Sequence, residues 1–267
     1  MKQGYIAVAA LALAVAGCAV STEQEVKMGE QYAGEIAKKL PLVNDPKINA
    51  YLTELGTSLI KVADDRGLQW SFHLVDSKDI NAFAVPGGFI YVNRGLVEHA
   101  ENMSELAGVL GHEIGHVTRR HTVSQMKTRQ GASIAVAAGC ILTRVCNDEV
   151  GEVVNVAGGM AFAKFSRNDE SEADREGVKT VIRAGIDPNG IPEMFEILLQ
   201  ERKDRPGTVQ TLFASHPLEE DRVAQSRELI KSYDPSVLRN LKKDDDAFHE
   251  FKRLVQALPP PPDPKKK

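Results

Sequence analysis

Apolar residues recur at helical spacing over residues 23–40 and 47–63, so each stretch is expected to form a helix that buries one face. Residues 69–76 read as a strand. Phe89-Ile90-Tyr91-Val92, rich in β-branched and aromatic residues, reads as another, with a turn or bulge at Pro86-Gly87-Gly88 beside it. Residues 104–120 contain no proline, and Ser104 is the expected N-cap of a helix there. Leu106, Val109, Leu110, Ile114 and Val117 point in most directions around that helix, as in a buried one. Gly108, Gly111 and Gly115 fall in one narrow sector of it, which predicts a second element packed close to the backbone. Two Ala/Val/Gly-rich stretches, 131–139 and 150–163, suggest a helical hairpin turning near 143–149. From 189 onward the pattern is helical, with breaks at Pro206-Gly207 and Pro235. The fold class expected is α+β, mainly α-helical, with a small antiparallel sheet beside the 104–120 helix.

The chemistry of that helix lies in His112-Glu113-Ile114-Gly115-His116. Histidines four apart on a helix differ by about 40° around its axis, so both imidazoles leave one face and can grip one ion. Glu113 projects near the same point, where it can act on water. This is the H-E-x-x-H pattern of zinc metallopeptidases. A mononuclear zinc enzyme wants a third protein ligand. Residues 166–177, which open a probable helix, offer Glu170 and Asp174 four apart on one face. Glu170 can bind the metal while Asp174 accepts a hydrogen bond from the outer nitrogen of a ligand histidine. Glu172 points about 160° away and belongs on a solvated face, with Arg167 and Arg175 as nearby salt partners.

With these motifs in view, the sequence resembles the HtpX and CAAX-prenyl-protease family of gluzincins, and within it the periplasmic BepA/LoiP-like lipoprotein branch. The resemblance rests on Asn81 to Gly88, Gly111 to His116, Ser166 to Asp174, and Ser215-His216-Pro217 with Arg222, in family order over about residues 25 to 230. It implies a gluzincin-type domain with one Zn2+ per chain held by His112, His116 and Glu170. Glu113 is then the catalytic base that activates zinc-bound water, and Asp174 the partner of a ligand histidine. It also implies that Asn81-Ala82-Phe83 belongs to an exposed strand that pairs with substrate backbone; a core position for Phe83 is the competing reading. Two roles are open to His216, followed by Arg222 at the family spacing. It either stabilises the oxyanion or takes the fourth zinc position as a switch. His121, just past the helix, is read as a cap; His73, His99 and His249 have no ligand spacing.

The N-terminus bears on location. Lys2 precedes an apolar run from Tyr5 to Ala16, too short for a comfortable membrane span and suited to a signal-peptide core. Val15-Ala16-Gly17-Cys18 resembles a bacterial lipobox, with cleavage before a lipidated Cys18; a plain secreted protein or an uncleaved anchor is the alternative. Ala19 resembles outer-membrane sorting. Expected organisation is therefore a signal peptide at 1–17, a metallopeptidase domain at 18–257 and a disordered Pro/Lys tail at 258–267. Cys140 and Cys146 remain as an even pair in an oxidising compartment, and a disulfide is favoured over free thiols.

Composition narrows the partners. Lys and Arg total 33 against 37 Asp and Glu, so a net charge of −4 offers no basic footprint for nucleic acid. Two functions stay open. One is a zinc endopeptidase of the bacterial envelope, lipid-anchored on the periplasmic face of the outer membrane, cutting misfolded or mislocalised polypeptides. The other is a self-inhibited or non-catalytic chaperone or scaffold for outer-membrane protein assembly on the same fold. Oligomeric state and cleavage preference are not legible.

Overall fold

The computed structural model describes residues 20–64, 66–126, 164–218 and 220–261. The expected signal peptide, Cys18, the expected hairpin over 131–163 with Cys140 and Cys146, and residues 262–267 lie outside the described residues.

Helix α1 (Thr22–Lys39) begins at a capping box, in which Ser21 Oγ accepts the Gln24 N–H and Gln24 returns a bond to the Ser21 N–H. Helix α2 (Pro46–Ala63) starts from Asp45, with proline where the helix needs no donor. Three strands follow: β1 (Ser71–Val75), β2 (Ala82–Val85) and β3 (Phe89–Asn93). Their order is β1-β3-β2, with β2 antiparallel to β3 and β1 parallel to it. The sheet is thus small, as the pattern suggested, but mixed: only the β2–β3 hairpin is antiparallel. That hairpin turns at Pro86-Gly87-Gly88, where φ values of 83° and 98° suit glycine.

Both faces of the sheet are covered, which is why its strands read as continuous apolar runs. Phe72, Leu74, Ala82, Ala84, Ile90 and Val92 join the main core. Val75, Phe83, Val85 and Tyr91 form a second cluster with Ile36 of α1. Phe83 stacks on Tyr91 with ring centroids 4.9 Å apart, so its side chain takes the core position. The Asn81-Ala82-Phe83 segment does form the edge of the sheet, yet it is buried rather than exposed.

Beneath the sheet runs α4 (Met103–Thr118), preceded by the short α3 (Arg94–His99). The cap of α4 is Asn102, not Ser104: Asn102 Oδ1 accepts both the Glu105 N–H and the Ser104 hydroxyl, so the helix starts one residue earlier. It also ends before residue 120. Arg119 closes it and Arg120 turns at φ 61°, a left-handed geometry that a non-glycine residue rarely adopts. A helical stretch over 121–126 then changes direction.

Helices α5 (Arg167–Arg183) and α6 (Gly190–Asp204) pack on α4, followed by a 3-10 turn at Pro206–Val209, α7 (Gln210–Ser215), α8 (Glu220–Lys231) and α9 (Asp246–Gln256). The glycine stripe of α4 meets the close neighbours it predicted. A methyl on Gly108 would stand 2.7 Å from Ile191, and one on Gly115 3.0 Å from the Ala173 carbonyl oxygen. From the other side, a methyl on Gly177 would stand 3.2 Å from the His112 nitrogen. No helix among the described residues is long and apolar enough to cross a membrane.

Helix α1 is clamped to this body at Glu25, which is fully buried. Its Oε2 lies 2.9 Å from both Arg66 NH1 and Arg120 Nε. Four residues on, a methyl on Gly29 would sit 1.9 Å from the Pro86 carbonyl oxygen. Gly29→Ala is therefore expected to cost about 1–3 kcal/mol through forced displacement of α1. Urea unfolding checks this, and unchanged stability would refute the close docking of α1 on the hairpin turn.

Candidate metal centre

The glycine contacts bring the polar face of α4 against the first turns of α5. Ser166 begins α5 through a capping box with Asp169, which orients the turn that carries Glu170 and Asp174. His112 Nε2 and His116 Nε2 lie 3.0 Å apart. Glu170 faces both, with Oε2 3.6 Å from His112 Nε2 and Oε1 3.4 Å from His116 Nε2. His216, where α7 ends, places Nδ1 3.1 Å from Glu170 Oε1. Ligand atoms of His112, His116, Glu170 and His216 all lie within 4.8 Å of one another, and all four residues are buried.

This donor set fits a metal. Bond lengths of about 2.0–2.1 Å in a tetrahedron put donors roughly 3.4 Å apart, close to the spacings seen. Ring nitrogens converging in a buried site have little else to satisfy them, because an unpaired buried polar atom is costly. Nitrogen and oxygen donors without sulfur suit zinc, one ion per chain.

The surrounding groups orient the donors. His112 turns its Nδ1 to Asp174 Oδ1 at 2.9 Å, as the spacing of Glu170 and Asp174 suggested. Arg222 of α8 binds both carboxylates: Nε and NH2 to Asp174 at 2.9 and 2.7 Å, and NH1 to Glu170 at 2.6 Å. Its guanidinium also lies over the Phe195 ring, 4.6 Å from the centroid. Burial alone would raise the Asp174 carboxyl, but Arg222 and His112 hold it below its ordinary value. Burial likewise opposes ionisation of Glu170, and hydrogen bonds from His116 and His216 outweigh it and depress that carboxyl strongly. Burial pushes the His116 imidazole well below its ordinary range, keeping it neutral as a ligand must be. For His216 burial is overcome by Glu113 and Glu170, so its imidazole is raised.

Glu113 stands apart. Its Oε1 is 3.7 Å from His216 Nε2, and among the described residues no arginine or lysine pairs with it. It lines a small apolar hollow whose walls include Val109, Met194, Phe195 and Leu198.

Two participants were not legible beforehand. Phe165 stacks on His116 with centroids 3.9 Å apart and holds its backbone N–H on the Ser215 carbonyl. His121 is not a helix cap: its Nδ1 meets His116 Nδ1 at 3.0 Å, and its Nε2 meets Glu172 Oε2 at 3.2 Å. Glu172 is accordingly held by His121 and by Arg119 Nε at 3.4 Å, rather than by Arg167 or Arg175. The Arg120 turn folds the chain back, so helical spacing from His116 does not locate His121.

Residues 46–230 match the model of peptidase family M48. The beta-barrel assembly-enhancing protease of Escherichia coli is 32% identical over 235 residues, 84% of this chain and 47% of its own length. A Vibrio cholerae protein provisionally given the same name is 36% identical over 231 residues, 83% of this chain and 47% of its own. Metalloprotease LoiP of Escherichia coli is 27% identical over 218 residues, 80% of this chain and 83% of its own. The chain thus spans about half the length of the first two relatives and most of the third.

Arg222 is the only described cation bridging Glu170 and Asp174, so Arg222→Ala should leave two buried carboxylates uncompensated. The expected loss is about 3–5 kcal/mol in the metal-free protein, read by denaturant unfolding. A loss below 1 kcal/mol, on the order of an exposed pair, would contradict the clamp.

Proposed function

The chain belongs to peptidase family M48, and from that premise we propose that it is a zinc-dependent endopeptidase of the bacterial cell envelope acting on misfolded or mislocalised polypeptides. The observation that carries the reading is the division among three buried carboxylates. Arg222 ties up Glu170 and Asp174, while Glu113, next to His112 on α4, pairs among the described residues with His216 alone. A carboxylate so placed is free to exchange a proton.

In this reading His112, His116 and Glu170 hold the metal, and Asp174 and Arg222 keep the donors aligned. A zinc ion held there supplies Lewis acidity to water and to the scissile carbonyl. Glu113 takes a proton from the attacking water and returns it to the leaving nitrogen. The apolar hollow beside Glu113 suits a substrate side chain of the kind that unfolded proteins expose. The edge of the sheet supports binding of an extended chain. Because the Asn93 N–H bonds to the Asn81 carbonyl, positions 81, 83 and 85 bond inward; the N–H and C=O of Ala82 and Ala84 face outward. Ala82 is fully buried and Ala84 nearly so, so strand addition at these groups would require the cover over this edge to move. Similarity to relatives named beta-barrel assembly-enhancing protease supports the location, and the lipobox-like segment supports anchoring through Cys18.

A second reading draws on His216. Its place among the ligand atoms favours the fourth zinc position over an oxyanion role, which makes the enzyme self-inhibited until His216 moves. A chaperone or scaffold role in outer-membrane protein assembly is compatible with that closed site.

The test is cleavage of an unfolded protein by zinc-loaded wild type, Glu113→Gln and His216→Ala. Glu113→Gln should lower turnover about 10²–10⁴-fold while keeping one zinc per chain. His216→Ala should cleave faster than wild type. Equal activity of Glu113→Gln and wild type would overturn the peptidase mechanism, and a slower His216→Ala would overturn the latch.

A further inference from the structure

We propose that His121 and Glu172 form a hydrogen-bonded relay that holds His116 in the one tautomer able to bind the metal, making both positioning residues for the centre. The proposal rests on reading the four-residue cluster as a metal site, and goes beyond it to residues that touch no ligand position.

The argument follows the protons. A carboxylate accepts hydrogen bonds and donates none, so the 3.2 Å contact between Glu172 Oε2 and His121 Nε2 places the proton on Nε2. With one proton on the ring, Nδ1 is the nitrogen that carries the lone pair. That lone pair faces His116 Nδ1 at 3.0 Å, so the His116 proton must sit on Nδ1 and donate to His121. His116 Nε2 is left with its lone pair, directed toward His112 Nε2 at 3.0 Å and Glu170 Oε1 at 3.4 Å. The other tautomer would put a hydrogen on Nε2, where the metal must bind.

The arrangement parallels that of His112, whose Nδ1 is set directly by Asp174. The two ligand histidines of α4 face different neighbours, so each needs its own orienting group. His112 Nδ1 reaches the α5 carboxylate Asp174 directly; His116 is one turn further along, and its Nδ1 reaches α5 through an inserted imidazole. His121 can fill that role because Arg120, at φ 61°, reverses the chain directly after α4. His121 is 5% exposed, and Arg119 Nε, 3.4 Å from Glu172 Oε1, fixes the far end of the relay. Phe165, stacked on His116, then leaves the imidazole little rotational freedom.

The test measures zinc affinity by chelator competition, which needs no turnover. His121→Phe keeps an aromatic ring but removes the acceptor, and should weaken zinc about 10–100-fold. His121→Asn, whose Oδ1 can accept where Nδ1 did, should stay close to wild type. Nitrogen-15 spectra of the ring should show His116 as the Nδ1–H form in wild type and a tautomer mixture in His121→Phe. Melting of the metal-free proteins controls for folding. Should His121→Phe fail to fold, Glu172→Leu breaks the relay from its half-exposed end, and weaker zinc binding is again expected. Unchanged affinity in the variant that folds would overturn the relay. Equal losses in His121→Phe and His121→Asn would also overturn it, in favour of packing. A wild type that takes up no zinc would instead remove the metal reading beneath it.

Discussion

Everything at the centre depends on how closely α4 and α5 approach each other. The donors are short: two imidazoles from one helix must converge with a carboxylate from the other. Gly111 and Gly115 on α4, and Gly177 on α5, remove the side chains that would hold the backbones apart; methyls there would stand 3.0–3.3 Å from backbone atoms of the facing helix. Each glycine inside a helix costs roughly 1 kcal/mol relative to alanine, so the stripe is retained against local preference. Apolar contacts elsewhere along α4 offset that cost, since Leu106, Leu110 and Ile114 are fully buried.

Close approach has an electrostatic consequence. It buries Glu113, Glu170 and Asp174 with histidines and a single described arginine. Arg222 does not serve the three carboxylates evenly. Its planar fork spans Glu170 and Asp174, a geometry that lysine could not reproduce. What remains is a fixed pair beside the donors and a third carboxylate, Glu113, that Arg222 does not bridge. The same packing directs imidazole nitrogens at one another, an arrangement that metal binding satisfies.

Much of this was legible in the residues because its parts are local. The His112–His116 spacing, the Glu170–Asp174 pair and the glycine sector are each periodic features of one helix, and periodicity carries their geometry. The helices α1 and α2, the strand β1 and the Pro86-Gly87-Gly88 turn were legible for the same reason. What escaped depends on the chain changing direction. Arg120 adopts a left-handed conformation more usual for glycine or asparagine, so the sequence pattern runs the helix on to residue 120 and reads His121 as a cap just past it. Asn102 and Ser104 both suit a cap, and only their mutual hydrogen bond shows which one serves. The parallel pairing of β1 with β3 is a long-range choice that no short pattern encodes. Phe83 was ambiguous because an aromatic residue at a sheet edge can serve a substrate or a core, and α1 covers the face it occupies.

The central claim is that the facing helices build one zinc site from His112, His116 and Glu170, with His216 at the end of α7 brought against it. Zinc K-edge X-ray absorption on the purified, zinc-loaded protein tests it most directly. The account predicts one zinc per chain in a nitrogen and oxygen shell at about 2.0–2.1 Å, with the outer scattering of imidazole ligands. Substoichiometric zinc, a sulfur shell, or a spectrum unchanged by His116→Ala would contradict it.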